Sequence, residues 1–386
     1  MTSRTVPGAW GALAGLTLAR IAFGVQLQTV ASVGPDLVAA FGLDFAALGS
    51  LYGAYMAPGI LVALPCGFLA RRFGDFAVAQ IGLMLMVAGG LVAGFAEGPG
   101  MIAAGRVVSG AGAVAMTVLQ GKIISDRFSG SAFSAAMAVL VGAFPIGIGI
   151  AQVTQARLAE AFGWPSAFLA GAGVALLGVL LFGLTWRRVP DSGPRPMAWP
   201  SRHEMLLVAI AGLIWTAFNA AYLNYLAYMP SFLAGRGHPV WMADAVIAMA
   251  TWGNLPLMLL GAALAVRFGP TRVFVAGTLA CALSVAGPIV LDWPLLWGLL
   301  FGTVGAMHGG LIVQIGTLSC RPENRAVGMG IFFTLYYLGG TWLPALCGAA
   351  ADAVGDASGA FAAAAAMSLL ALPCYWLHRR WMARLA

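Results

Sequence analysis

The chain has 386 residues, of which 61% are hydrophobic and 9% charged, with a formal net charge of +7. Soluble domains carry roughly 25% charged residues, so this composition excludes a water-soluble globular protein and makes the lipid bilayer the solvent. In a membrane chain the surplus of basic residues reads as orientation chemistry, which removes nucleic acid as an expected partner.

A spanning helix needs about 20 mostly apolar residues, and the chain offers twelve such stretches. The first six cover 10–33, 45–69, 76–96, 100–124, 132–157 and 164–187. Between them and the rest lies a stretch rich in proline and arginine, with Pro190, Pro194, Pro196 and Pro200 among Arg187, Arg188, Arg195 and Arg202. Proline blocks helix continuation, so this is an irregular basic connection. The second six cover 204–233, 240–266, 272–291, 294–320, 326–350 and 359–378. The expected domains are therefore a six-helix bundle over 1–186, a cytoplasmic linker over 187–203 and a second six-helix bundle over 204–386.

Basic residues in short loops gather on the cytoplasmic face. With both termini inside, Arg4, Arg71, Arg72, Lys122, Arg127, Arg267, Arg272, Arg321, Arg325, Arg379, Arg380 and Arg384 all fall on or beside that face; only Arg157 and Arg236 fall outside. Adding or removing one span scrambles the pattern from that point on. The five cysteines are odd in number and lie in or at the end of apolar segments, so no disulfide framework is expected. The first span, which carries Arg20, is expected to be retained rather than cleaved.

The two halves are related. Leu69-Ala70-Arg71-Arg72-Phe73-Gly74 returns as Leu264-Ala265-Val266-Arg267-Phe268-Gly269, an offset of 264 − 69 = 195 residues. Ala159-Glu160-Ala161-Phe162-Gly163 echoes Ala351-Asp352-Ala353-Val354-Gly355 at a similar distance. Duplicated bundles of membrane helices are an architecture of transporters. The expected fold is an all-α membrane protein of twelve transmembrane helices in two pseudo-symmetric six-helix bundles.

Arg20 and Arg106 stand inside spans, at a cost of about 2.5 to 3.5 kcal/mol each on insertion scales, or roughly 5 to 7 kcal/mol together. The acidic residues lie near span ends, so the midplane holds positive charge without a fixed carboxylate. That arrangement favours an anionic or strongly hydrogen-bond-accepting cargo, for which the planar guanidinium is suited. Two plainer readings stay open: Arg106 as a structural hub binding carbonyls or Asp36, and Arg20 snorkelling to the headgroups along its alkyl stem. Buried amides and hydroxyls in lipid need partners, and they recur at Gln26, Gln28 and Thr29, at Asn219, Tyr222, Asn224 and Tyr225, and at His308 and Gln314. His308 has the intrinsic pKa of a proton carrier, or else makes one interhelical hydrogen bond. The pair His238 and Met242, one turn apart, invites a copper reading, but the 17 methionines are scattered. No metal and no cofactor is expected.

The segment Gly67-Phe68-Leu69-Ala70-Arg71-Arg72-Phe73-Gly74-Asp75 resembles the loop motif of the major facilitator superfamily, typically Gly-x-Leu-Ala-Asp-Arg-x-Gly-Arg, and Arg106-x-x-x-Gly110-x-Gly112 is similar to its fourth-helix motif. The resemblance covers the whole chain and implies the major facilitator fold, with the first, fourth, seventh and tenth helices around a central cavity. One charge pair is exchanged: the family's Asp position is Arg71 here and its later Arg is Asp75, so the family's carboxylate latch does not transfer to Arg71. The fifth span has Gly142, Pro145, Gly147 and Gly149 but lacks the Gly-Pro dipeptide associated with antiporters, which tilts the expectation toward uptake or symport. Ser32-Val33-Gly34-Pro35, Asn219-x-x-Tyr222 and Met229-Pro230-x-Phe232 are similar to patterns of the cyanate permease branch.

The expected function is secondary active transport by alternating access of a small anion or polar metabolite, with proton coupling open. The expected substrate-binding residues are Arg20, Gln28, Arg106, Asn219, Tyr222, Asn224, His308 and Gln314. Gating is expected at Gly67, Arg71, Arg72, Gly74, Asp75, Arg267, Gly269 and Arg272. Efflux of amphipathic compounds is the alternative within transport; a membrane-embedded enzyme or sensor is the alternative outside it. The expected setting is the inner membrane, as a multi-pass monomer.

Overall fold

A computed structural model describes residues 5–187, 199–253, 261 and 263–383. It is built of helices and turns; among the described residues the β-contact is an isolated bridge between Thr5 and Phe128. Without water to satisfy peptide groups, spanning backbone must bond within its own helix, and eleven helical stretches are long and apolar enough to cross a bilayer. The eighth expected span enters as Val240–Trp252, and its continuation over 254–260 lies outside the described residues. Of the expected linker, residues 188–198 also lie outside them.

The chain divides into two compact units, the first made of Met1–Phe41 and Ala54–Arg195, the second of Gly42–Gly53 and Pro196–Ala386. In the first, α1 (Ala9–Ser32) leads through a short α2 (Gly34–Phe41). The second span is broken: α3 (Phe45–Ala54) ends in turns over 55–58 before α4 (Gly59–Phe73) begins. Then follow α5 (Asp75–Gly94), α6 (Pro99–Arg127), α7 (Ser131–Phe162) and α8 (Pro165–Thr185).

Lipid supplies no hydrophobic drive between helices, so glycines let backbones touch. A Cβ on Gly24 of α1 would collide with the Phe144 carbonyl of α7, and one on Gly147 would collide with the Ile21 carbonyl in return. Gly89 and Gly105 join α5 to α6 in the same reciprocal way. Asp75, the residue with exchanged charge, starts α5 and pairs with Lys122 near the end of α6 at 2.7 Å. Its charge is thus engaged inside the first unit.

The second unit continues with α9 (Arg202–Gly235), α10 (Val240–Trp252), α11 (Pro270–Val290) and α12 (Pro294–Leu300). After α12 the tenth span widens into a π-turn over Phe301–Gly305, then resumes as α13 (Gly309–Leu318). The final helices are α14 (Arg325–Val354), α15 (Ser358–Leu369) and α16 (Ala371–Met382). Ser201 and Glu204 form a reciprocal capping box at the start of α9, and the Glu204 carboxylate also accepts the Arg321 N–H at 2.9 Å and the Asn324 amide at 3.0 Å.

Helix α3 packs with this second unit. The Asp352 carboxylate accepts the N–H groups of Phe45 and Ala46 at 2.8 and 2.9 Å, capping its first turn. The Tyr228 hydroxyl lies 2.6 Å from the Pro344 carbonyl and 3.0 Å from that of Phe45.

The two copies of the repeated phrase end alike. Gly74 sits at φ 85°, ψ 150° and Gly269 at φ 87°, ψ 141°, a region open essentially only to glycine. Each closes its helix with the same bond, Gly74 N–H to Ala70 at 2.9 Å and Gly269 N–H to Ala265 at 3.0 Å.

Candidate functional site

In the first unit Arg106, 2% exposed, projects from α6 toward α1. Its guanidinium donates to the Gln26 carbonyl and, at 3.3 Å, to that of Leu27. It also lies 4.6 Å from the centre of the Tyr55 ring, in the break between α3 and α4. Tyr55 donates to the Gln26 side-chain oxygen at 3.0 Å, and the Gln26 amide donates to the Met86 and Gly171 carbonyls at 2.9 and 3.3 Å. Four helices, α1, α5, α6 and α8, therefore meet on one amide and one guanidinium. This is the geometry of the hub reading: the charge is spread over carbonyl dipoles and an aromatic face.

A second layer involves α7. Gln152 accepts from Gln28 at 2.9 Å and from Ser32 at 3.3 Å, while Gln155 donates to Thr29 at 3.0 Å and to the Ala167 carbonyl at 3.2 Å. Arg20, half-buried at the middle of α1, donates to Thr117 at 2.8 Å and lies 5.1 and 4.9 Å from the ring centres of Phe23 and Phe144. Phe23 in turn packs 5.6 Å from Tyr55, so a row of rings separates the two guanidinium groups. Arg20 is held among α1, α6 and α7, and of the two arginines it retains the greater exposure.

In the second unit α9 presents rings. Tyr225 stacks on Phe301 at 4.4 Å, and Tyr222 stacks on the same ring at 6.1 Å. The amides of Asn219 and Asn224 turn back on their own helix, donating to Trp215 at 2.9 Å and Ala220 at 2.7 Å. The Asn224 side-chain oxygen and the Tyr225 hydroxyl have no hydrogen-bond partner among the described residues. His308, 1% exposed, stands edge-on to Phe218 and Phe274 at 5.0 and 5.6 Å and packs on Gly277. Gln314 is exposed and lines a groove with Thr271, Phe274 and Tyr375.

The expected gating residues lie at the helix ends that the repeat generates. Arg72 and Arg267 are exposed and each covers the ring that follows it, Phe73 at 5.4 Å and Phe268 at 5.3 Å. Arg272 is exposed in the first turn of α11. The side chain of Arg71, and Gly67, lie outside those whose burial is described. His238 pairs with Asp292 at 2.8 Å.

Tyr55, Gln152, Gln155, Thr117 and Phe301 belong to these clusters and escape the sequence reading. Gln152-x-x-Gln155, two amides one turn apart in an otherwise apolar span, is a signal that finds two of them.

Residues 16–344 match the Major Facilitator Superfamily. The chain belongs to that family and is a multi-pass membrane transporter, which sets aside the membrane-enzyme alternative. It is 24% identical over 317 residues to the inner membrane transport protein YajR of Escherichia coli, covering 77% of this chain and 68% of that one. It is 26% identical over 324 residues to an MFS-type efflux pump of Mycolicibacterium smegmatis, covering 77% and 74%. A further curated relative, from Mycobacterium tuberculosis, is spanned over only 30% of its length. Among solved structures, a D-xylose-proton symporter superposes with a TM-score of 0.78 at 16% identity, covering 95% of this chain and 97% of that one, a likeness of fold.

Proposed function

We propose that the chain is a secondary transporter of the inner membrane that works by alternating access and carries a small anion or polar metabolite. Both termini lie on the cytoplasmic side in this reading, since that is where the basic loops collect. One observation carries it. Arg20 and Arg106 stand within the spans of the first unit, while every described Asp and Glu lies in a loop or within five residues of a helix end. Carbonyls and the Tyr55 ring already offset the charge of Arg106, and a cargo bearing negative charge adds to what offsets that of the more exposed Arg20. Arg20 is the contact residue, and Arg106 acts through Gln26 and Tyr55 as a positioning residue. In the second unit the Asn224 side-chain oxygen and the Tyr225 hydroxyl are among the polar atoms without a partner in the described residues.

Proteoliposomes loaded with and without a pH gradient and offered labelled carboxylate and oxyanion substrates test this. Arg20→Ala should fold yet lower anion uptake about tenfold or more, the scale of a lost charge-assisted hydrogen bond. Arg20→Lys should restore part of it, and direct anion binding to the folded variants should fall in parallel. Normal transport by both Arg20→Ala and Arg106→Ala would overturn the anion reading.

Efflux of amphipathic compounds is the second reading. It is favoured by the ring stack of Tyr222, Phe301 and Tyr225 and by likeness to the mycobacterial efflux pump. Dye retention in cells that carry and lack the protein separates the two.

A further inference from the structure

On the far side of Phe274 from His308, the second unit carries a half-open groove of about 280 Å³ between the first turns of α11, α13 and the last turns of α16. One end of it is polar. The Arg379 guanidinium donates to the Thr271 hydroxyl at 2.8 Å, and that hydroxyl lies 3.0 Å from the hydroxyl of Tyr375. Gln314 and His378 also face it, and the apolar part of the wall is Phe274, Leu311, Ile315 and Leu318, the last 57% exposed.

Charge is one-sided here. The stretches 263–290, 309–320 and 371–383, which carry the groove, contain Arg267, Arg272, Arg379 and Arg380 and not one Asp or Glu. Trp376 is 53% exposed with the Arg379 guanidinium 5.8 Å from its ring, the pairing of aromatic and cation that marks a membrane boundary.

From this geometry we infer that the groove is a binding site for an anionic phospholipid of the arginine-rich membrane face, with its phosphate on Arg379, Thr271 and Tyr375 and an acyl chain along Ile315 and Leu318. A guanidinium bonded to one hydroxyl keeps further N–H donors for phosphate oxygens. Basic pockets between helix ends attract acidic headgroups, each arginine strengthening the attraction. Free inorganic phosphate would satisfy the polar end and leave the apolar wall uncovered, so the shape selects the lipid. Lipid binding here does not depend on which substrate the protein carries.

The test uses the full chain purified in an uncharged detergent, with lipid occupancy read by native mass spectrometry. Phosphatidylglycerol should be retained in preference to phosphatidylcholine, and millimolar inorganic phosphate should not displace it. Arg379→Gln should weaken phosphatidylglycerol about fivefold. Leu318→Glu, at an exposed position, should weaken it too by placing a carboxylate on the acyl wall. Equal retention of the two lipids, displacement by inorganic phosphate, or wild-type affinity in both variants would overturn the site. The wild-type comparison decides the matter by itself if a variant does not fold.

Discussion

The first unit fills its middle with amides and a guanidinium, whereas the second fills the equivalent stretch of chain with rings. Phe301 follows Arg106 by 301 − 106 = 195 residues, the same offset as the repeated loop phrase. Arg106 rests 4.6 Å from the Tyr55 ring; Phe301 rests 4.4 Å from that of Tyr225. The helix ends, by contrast, hardly differ: Gly74 and Gly269 share one backbone conformation, and Arg72 and Arg267 each cover the following phenylalanine. A turn that only glycine can make tolerates no drift. An interior site tolerates any group that satisfies its neighbours, by hydrogen bonds on one side and by stacking on the other.

That contrast can be broken from the aromatic side first. Phe301→Ala removes the ring on which Tyr222 and Tyr225 stack, and should cost about 3 to 5 kcal/mol, read as a fall in melting temperature in detergent. On the polar side, Gln152→Leu should cost about 1 to 3 kcal/mol because it removes an acceptor shared by the Gln28 amide and the Ser32 hydroxyl. Gln28→Leu combined with Gln152→Leu should recover most of that loss, since removing both partners leaves little unsatisfied. A double variant as weak as the sum of the singles would show that packing, not hydrogen bonding, holds α1 to α7. The smallest effect belongs to Tyr225→Phe. Its hydroxyl has no partner among the described residues, so stability should stay within about 0.5 kcal/mol while substrate binding falls if the hydroxyl serves the cargo.

Much of the fold is legible in the sequence. The spans, the duplication and the family follow from apolar run lengths, the repeated Leu-Ala-x-Arg-Phe-Gly phrase and Arg106-x-x-x-Gly110. The breaks are not. Pro145 and Pro230 lie inside continuous helices, Pro58 closes the break at 55–58, and the chain opens at Phe301–Gly305 with no proline at all, so proline does not separate the cases. The candidate site is legible only in part. Isolated polar residues such as Arg20, Gln28 and His308 announce themselves against an apolar background. Whether each meets a carbonyl, a ring or an open path depends on the helix opposite. His308 meets Phe218, Phe274 and Gly277, and Gln314 faces a groove on the outside of its cluster.

Sequence alone determines that this chain spans a bilayer many times as two related bundles, because lipid demands long apolar runs and helices that satisfy their own peptide groups. Tertiary structure alone decides what the buried charges meet. The carbonyls and ring that surround Arg106 come from α1 and from the break before α4, some 80 and 50 positions away along the chain, and only folding brings them within reach.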